Sequence, residues 1–123
     1  MRRYLILAIA LVLSGTSAWG HDEEIPYADW MRSLKQPDKP DYSCCGPADQ
    51  YYVREYRASQ KPGVAFAAIV IGRDGLPDFP LDIPDQKVVW DRVNPTGRGV
   101  VFIGAGDRLE DRTVLCFVPG VGL

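Results

Sequence analysis

The chain has 123 residues, with 14 Lys plus Arg against 16 Asp plus Glu, one His and three Cys, for a net charge of −2. That length admits one small domain and not two. The charges are scattered with no basic stripe, which excludes the electrostatic footprint of a nucleic-acid binder or of a protein drawn to an anionic membrane.

The first segment reads as an export leader. Arg2 and Arg3 form a positive start, Leu5 to Leu13 an apolar run, and Ser14 to Gly20 are mostly small. So short a run cannot cross the roughly 30 Å of a bilayer core. Cleavage after Ala18-Trp19-Gly20 is expected, with a cut after Ala18 as the alternative. The first option makes residues 1–20 the signal peptide and 21–123 the exported domain. Leu13-Ser14-Gly15-Thr16 resembles a lipoprotein signal with Thr in place of the lipid-bearing Cys, so no lipid is expected. Losing Arg2 and Arg3 with the leader leaves 12 Lys plus Arg against 16 Asp plus Glu, a net of −4. The expected product is soluble, periplasmic or secreted, with no membrane segment after cleavage.

Next comes a helix over residues 26–36. Pro26 suits its first turn, and Tyr27, Trp30, Met31 and Leu34 fall on one face at helical spacing before Pro37 and Pro40 end it. Gln36 to Asp49 has no periodicity and reads as a loop that needs fastening. Strands are predicted at Tyr51–Tyr56, Val64–Ile71, Val88–Val93, Val100–Ile103 and Thr113–Val118. The almost unbroken apolar run from Val64 to Ile71 predicts a strand buried on both faces. Turns are read at Lys61-Pro62-Gly63, at Gly72-Arg73-Asp74-Gly75 and at Asn94-Pro95-Thr96-Gly97, with Leu76–Pro84 an irregular or edge segment. The fold class is α+β: one N-terminal helix packed on a small, mainly antiparallel sheet of four or five strands, disulfide-stapled.

The cysteines are the first candidate site. A bond from Cys116 to Cys44 or to Cys45 would close a loop of about 70 residues, worth about 4 kcal/mol in the chain-entropy model. The residues do not say which of the two pairs. The remaining thiol is then free, buried and inert or available for a disulfide-linked homodimer. Cys45-Gly46-Pro47 resembles the turn of thioredoxin-like oxidoreductases, but Ala48 stands where the second Cys belongs. Three Cys and one His lack the paired spacing of a zinc site. His21 would chelate Cu(II) as a histidine brace only with a second histidine, which the chain lacks. Neither metal nor cofactor is expected. Asp82, Asp85 and Asp91, and separately Asp107, Glu110 and Asp111, are candidates for an acid–base pair, against the plainer reading of solvated turn charges. The second group lacks EF-hand spacing. Ile103-Gly104-Ala105-Gly106 lacks the third Gly and the chain length of a dinucleotide site.

Several motifs together resemble a group of small, uncharacterised exported proteins of proteobacteria. They are His21-Asp22, Trp30, Ser43-Cys44-Cys45-Gly46 with Asp49, Asn94-Pro95-Thr96-Gly97-Arg98 and Cys116-Phe117-Val118-Pro119. The resemblance implies an exported domain over nearly the whole mature chain, with a cysteine at position 50 and two bridges. Gln50 departs from that pattern and leaves the choice between Cys44 and Cys45 open. The resemblance implies location and architecture only; since no catalytic constellation stands out among the residues, the expected function is that of an exported, non-enzymatic binding or envelope-accessory domain acting on an envelope protein or small ligand. The alternative is a small hydrolase of envelope polymers or a thiol-dependent enzyme centred on Cys44 or Cys45.

Overall fold

A computed structural model describes residues 26–104 and 113–121. The leader and its cleavage site, His21, the Ala105-Gly106 half of the glycine motif and the carboxylates Asp107, Glu110 and Asp111 lie outside them.

The predicted helix is much shorter than its apolar spacing implies. α1 covers Ala28–Ser33 only. Tyr27 precedes it in the left-handed region at φ 65°, and Leu34 leaves it with extended angles. The last predicted turn is lost because Lys35 and Gln36 pair with another segment instead. They form β1 (Lys35–Gln36), which runs antiparallel to β2 (Lys39–Ser43) as a two-stranded ribbon. The ribbon occupies the stretch read as loop. It was invisible because Lys39 to Tyr42 are all exposed, so no buried face imposes alternation.

The remaining strands make one antiparallel sheet. They are β3 (Gln50–Ala58), β4 (Val64–Val70), β5 (Phe79–Pro84), β6 (Val100–Gly104) and β7 (Thr113–Val118), ordered β5-β4-β3-β6-β7. β5 is an edge strand, where the prolines Pro80 and Pro84 cost least in ladder hydrogen bonds. The predicted strand at Val88–Val93 is corrected to a single parallel bridge between Val88 and Phe117. Only Val88 and Val89 reach the β7 edge, and Val93 is 86% exposed.

Burial explains which strand is two-faced. One cluster gathers Val53, Phe66, Val70, Phe79, Ile83, Val101, Val114 and Phe117, so residues of β5 and β7 meet inside a curled sheet. A second cluster on the other side of β6 and β7 holds Met31, Leu34, Cys44, Val89, Val100, Phe102, Cys116 and Val118. β6 thus sits between two cores, and Val100 to Ile103 are all buried. β4, expected to be covered on both faces, alternates instead between buried Phe66, Ala68 and Val70 and half-buried Ala67 and Ile69. α1 and the ribbon are too short to cover both ends of the sheet, and they cover the β6–β7 end.

Cys44 pairs with Cys116, with Cα atoms 5.6 Å apart and a sequence separation of 72. Both are fully buried in the second cluster. Closing so long a loop is worth about 4 kcal/mol, against roughly 5–15 kcal/mol for a whole domain. Among the described residues no helix is long and apolar enough to cross a membrane. Replacing both Cys44 and Cys116 by Ala is expected to lower unfolding free energy by about 4 kcal/mol. Guanidinium denaturation of the oxidised protein against the double variant checks this, and an unmoved midpoint would refute the loop-closure account.

Candidate functional site

The vicinal cysteines diverge because the backbone turns sharply between them. The Cys44 amide donates to the Leu34 carbonyl at 3.0 Å, which seats its side chain inward. Cys45 then adopts φ 77°, and Gly46 follows with the same φ. A non-glycine residue in this region costs about 1–2 kcal/mol, and the turn leaves the Cys45 thiol free and exposed. Beyond it, Pro47–Asp49 form a single 3-10 turn. The thioredoxin-like reading therefore lacks its helix as well as its second cysteine.

Gln50, the residue that breaks the resemblance, is buried beside this corner. It lies opposite Phe102, which in turn lies opposite Cys116, so the three form one row across β3, β6 and β7. Its Nε2 has no hydrogen-bond partner among the described residues. Its carbonyl accepts from Arg73 Nη1, whose Nη2 reaches the Ala48 carbonyl at 3.0 Å. Arg73 also lies over the Tyr51 ring, 4.1 Å from its centroid. The guanidinium thus fastens the loop after β4 to the start of β3.

The Asn94-to-Arg98 motif proves to be a joint. Asn94 Nδ2 donates to the carbonyls of Arg98 (2.7 Å), Val118 (3.2 Å) and Pro119 (3.1 Å). Its Oδ1 accepts from the amide and the hydroxyl of Thr96. Gly120 is required where the two segments touch, since a Cβ there would stand 2.6 Å from the Arg98 carbonyl carbon. The amide closes its own turn and ties it to the end of β7, which accounts for the residue types without a ligand.

One concavity among the described residues is a groove of about 510 Å³ between the ribbon and the segment after β5. Lys35, Gln36, Pro37 and Pro40 form one wall, and Val88 to Arg92 form the other. Lys87 joins the walls at their base. Its ammonium is buried and donates to Gln36 Oε1 at 3.1 Å and to Asp38 Oδ1 at 2.9 Å. Gln36 Nε2 donates onward to the Ser43 carbonyl. The opposite wall is pinned by the Val89 amide on the Phe117 carbonyl at 2.8 Å. The Trp90 and Phe66 ring centroids lie 5.8 Å apart, and Trp90 is 68% exposed. Arg92 Nη2 donates to Ser33 Oγ at 3.0 Å.

Other sequence candidates are accounted for elsewhere. Asp82 pairs with Lys61 at 3.0 Å on the outer face of β4 and β5, while Asp91 lines the groove. Asp85 begins a 3-10 turn over Asp85–Lys87. No group of three or more His, Cys, Asp or Glu able to hold a metal occurs among the described residues. Sequence reasoning missed the groove because its walls come from a ribbon without periodicity and from a segment read as a strand. The adjacent Trp90, Asp91 and Arg92 were its one visible sign. No protein-family model, curated protein or solved structure matches the chain.

The Lys87–Asp38 pair makes the groove acid-sensitive. Desolvation works to raise the Asp38 pKa, but the Lys87 hydrogen bond, Asp38's own backbone and the charges of Lys87 and Lys39 outweigh it, so the carboxyl sits below its ordinary value. A lowered folded-state pKa means stability that is present above the unfolded value of about 3.9 and is lost as pH falls through the folded one. Asp38→Asn is expected to cost about 1–3 kcal/mol at pH 7, by weakening the partner of a buried ammonium. Urea midpoints at pH 7 and pH 2.5 should bring variant and wild type together at the acid end. A constant gap between them would remove the pair from the account.

Proposed function

We propose that this chain is a soluble exported domain, periplasmic or secreted, that acts by binding, and that the groove between the ribbon and Val88–Arg92 is its ligand site. Support for export comes from the Arg2-Arg3 and Leu5–Leu13 leader pattern, from the resemblance to exported proteobacterial proteins, and from a buried disulfide, a bond suited to oxidising compartments. The observation that carries the binding reading is Trp90, a large aromatic side chain left 68% exposed at the rim of a concavity whose two walls are pinned. Exposed aromatics over a preformed concavity are typical of recognition surfaces. The wild-type protein should be retained on an insoluble envelope polymer, with purified peptidoglycan sacculi and acidic and neutral polysaccharide gels as the probes. Trp90→Ala should lose that retention at an unchanged melting temperature, and the polymers should keep their chain length. Retention indifferent to Trp90→Ala would dispose of the groove, and shortened polymer would replace binding by hydrolysis.

The exposed thiol favours a second reading of partnership, a homodimer linked through Cys45. Non-reducing electrophoresis of the exported protein should show a dimer that Cys45→Ser removes, and alkylation should label Cys45 in the dimer band only after reduction. A purely monomeric species sinks this reading.

A further inference from the structure

We propose that the groove recognises an acidic saccharide, a pyranose unit whose apolar face lies on Trp90 and whose carboxylate is met by Arg92 and Lys35. This rests on the binding reading above and adds the ligand class to it.

Three features of the groove converge on that chemistry. The first is shape. Its volume of about 510 Å³ falls in the roughly 300–1,000 Å³ range of small-ligand sites. Trp90 lines the groove and is 68% exposed, and an indole is a flat apolar surface suited to the axial C–H face of a pyranose. The second is charge. Lys35 and Arg92 both line the groove, and neither makes an ion pair among the described residues. By contrast Arg32, Arg54, Lys61 and Lys87 are each paired with an aspartate, Arg73 and Arg98 lie over tyrosine rings, and Lys39 and Arg57, also without an ion pair among the described residues, do not line the groove. Two unspent cations therefore face one concavity of a chain whose net charge is −2. Arg92 is also held in place, since one of its amino groups is fixed by Ser33 Oγ. A guanidinium carries five N–H donors in a planar fork, so most remain for a carboxylate, whose two oxygens match that fork.

The third is rigidity. Lys87 ties the base, and Cys44 holds the segment just past β2 against β7. A preformed cleft loses least on binding a ring that is itself stiff. A peptide in extended form would seek a strand edge for its main chain. On this wall the Val89 amide is already committed to the Phe117 carbonyl and is not free for a peptide main chain. Asp91 is the one carboxylate lining the groove. It can accept hydrogen bonds from sugar hydroxyls, and its charge opposes a ligand carboxylate.

The test compares trigalacturonate, neutral cellotriose and an acidic peptide of equal charge, titrated against the full exported protein by calorimetry. Trigalacturonate should bind, more weakly as salt rises, and cellotriose should bind less well. Lys35→Gln and Arg92→Gln should each weaken trigalacturonate by about 3–5-fold, while Asp91→Asn tightens it by a similar factor. A merely structural role for these residues would not produce opposite signs. Equal affinity for cellotriose, indifference of all three charge variants, preference for the peptide, or no binding of any probe would each overturn the acidic-saccharide assignment. Failure of that assignment is separable from failure of the groove. If Trp90→Ala still abolishes polymer retention, only the ligand class falls, and if it does not, the groove falls with it.

Discussion

The Cys44–Cys116 bond is the constraint on which the rest of the molecule depends. α1 has six residues and β1 two, far too little secondary structure to hold a position alone. The bond fastens the end of this N-terminal segment to β7 in the middle of a buried cluster, and Met31 and Leu34 pack around it. Their burial covers the second face of β6, which makes β6 a strand between two cores. The groove inherits its geometry from the same attachment. One wall belongs to the stapled segment, and the other rests on the strand that carries Cys116.

Polar side chains finish what the staple begins. Lys87, Asn94 and Arg73 each reach two or more partners that are far apart in sequence or separated by a turn. Each joins irregular segments where no ladder can. Buried groups of this kind add little net stability when satisfied and cost heavily when broken. They fix where loops lie more than they add to the total. In this protein the loops they fix are the ones that shape the groove and the joint after β7.

How much was legible in the sequence follows from which residues leave a pattern. β7 matches its predicted span, and β3, β4 and β6 lie within a residue or two of theirs, because Val, Ile and aromatic residues mark segments that bury a face. The ribbon left no mark, since an exposed strand needs no alternation. α1 was overextended because Leu34 keeps its place on the apolar stripe after the backbone has turned extended, and side-chain spacing alone does not register that change. The choice between Cys44 and Cys45 was unreadable for a related reason. It depends on a positive φ at Cys45, and Cys carries no signature for it. The groove was the hardest to foresee, because Lys35 and Arg92 meet only in the folded chain.

The left-handed turn at Cys45 also bears on how the molecule is made. Cys44 and Cys45 both lie far before Cys116 in the chain, so chain order does not choose between them. The folded corner makes the choice, since Cys44 shares the buried cluster of Cys116 while the turn leaves Cys45 exposed. Were Cys45 to bond Cys116 first, the adjacent Cys44 thiolate would be placed to exchange with that bond and move it to the buried position.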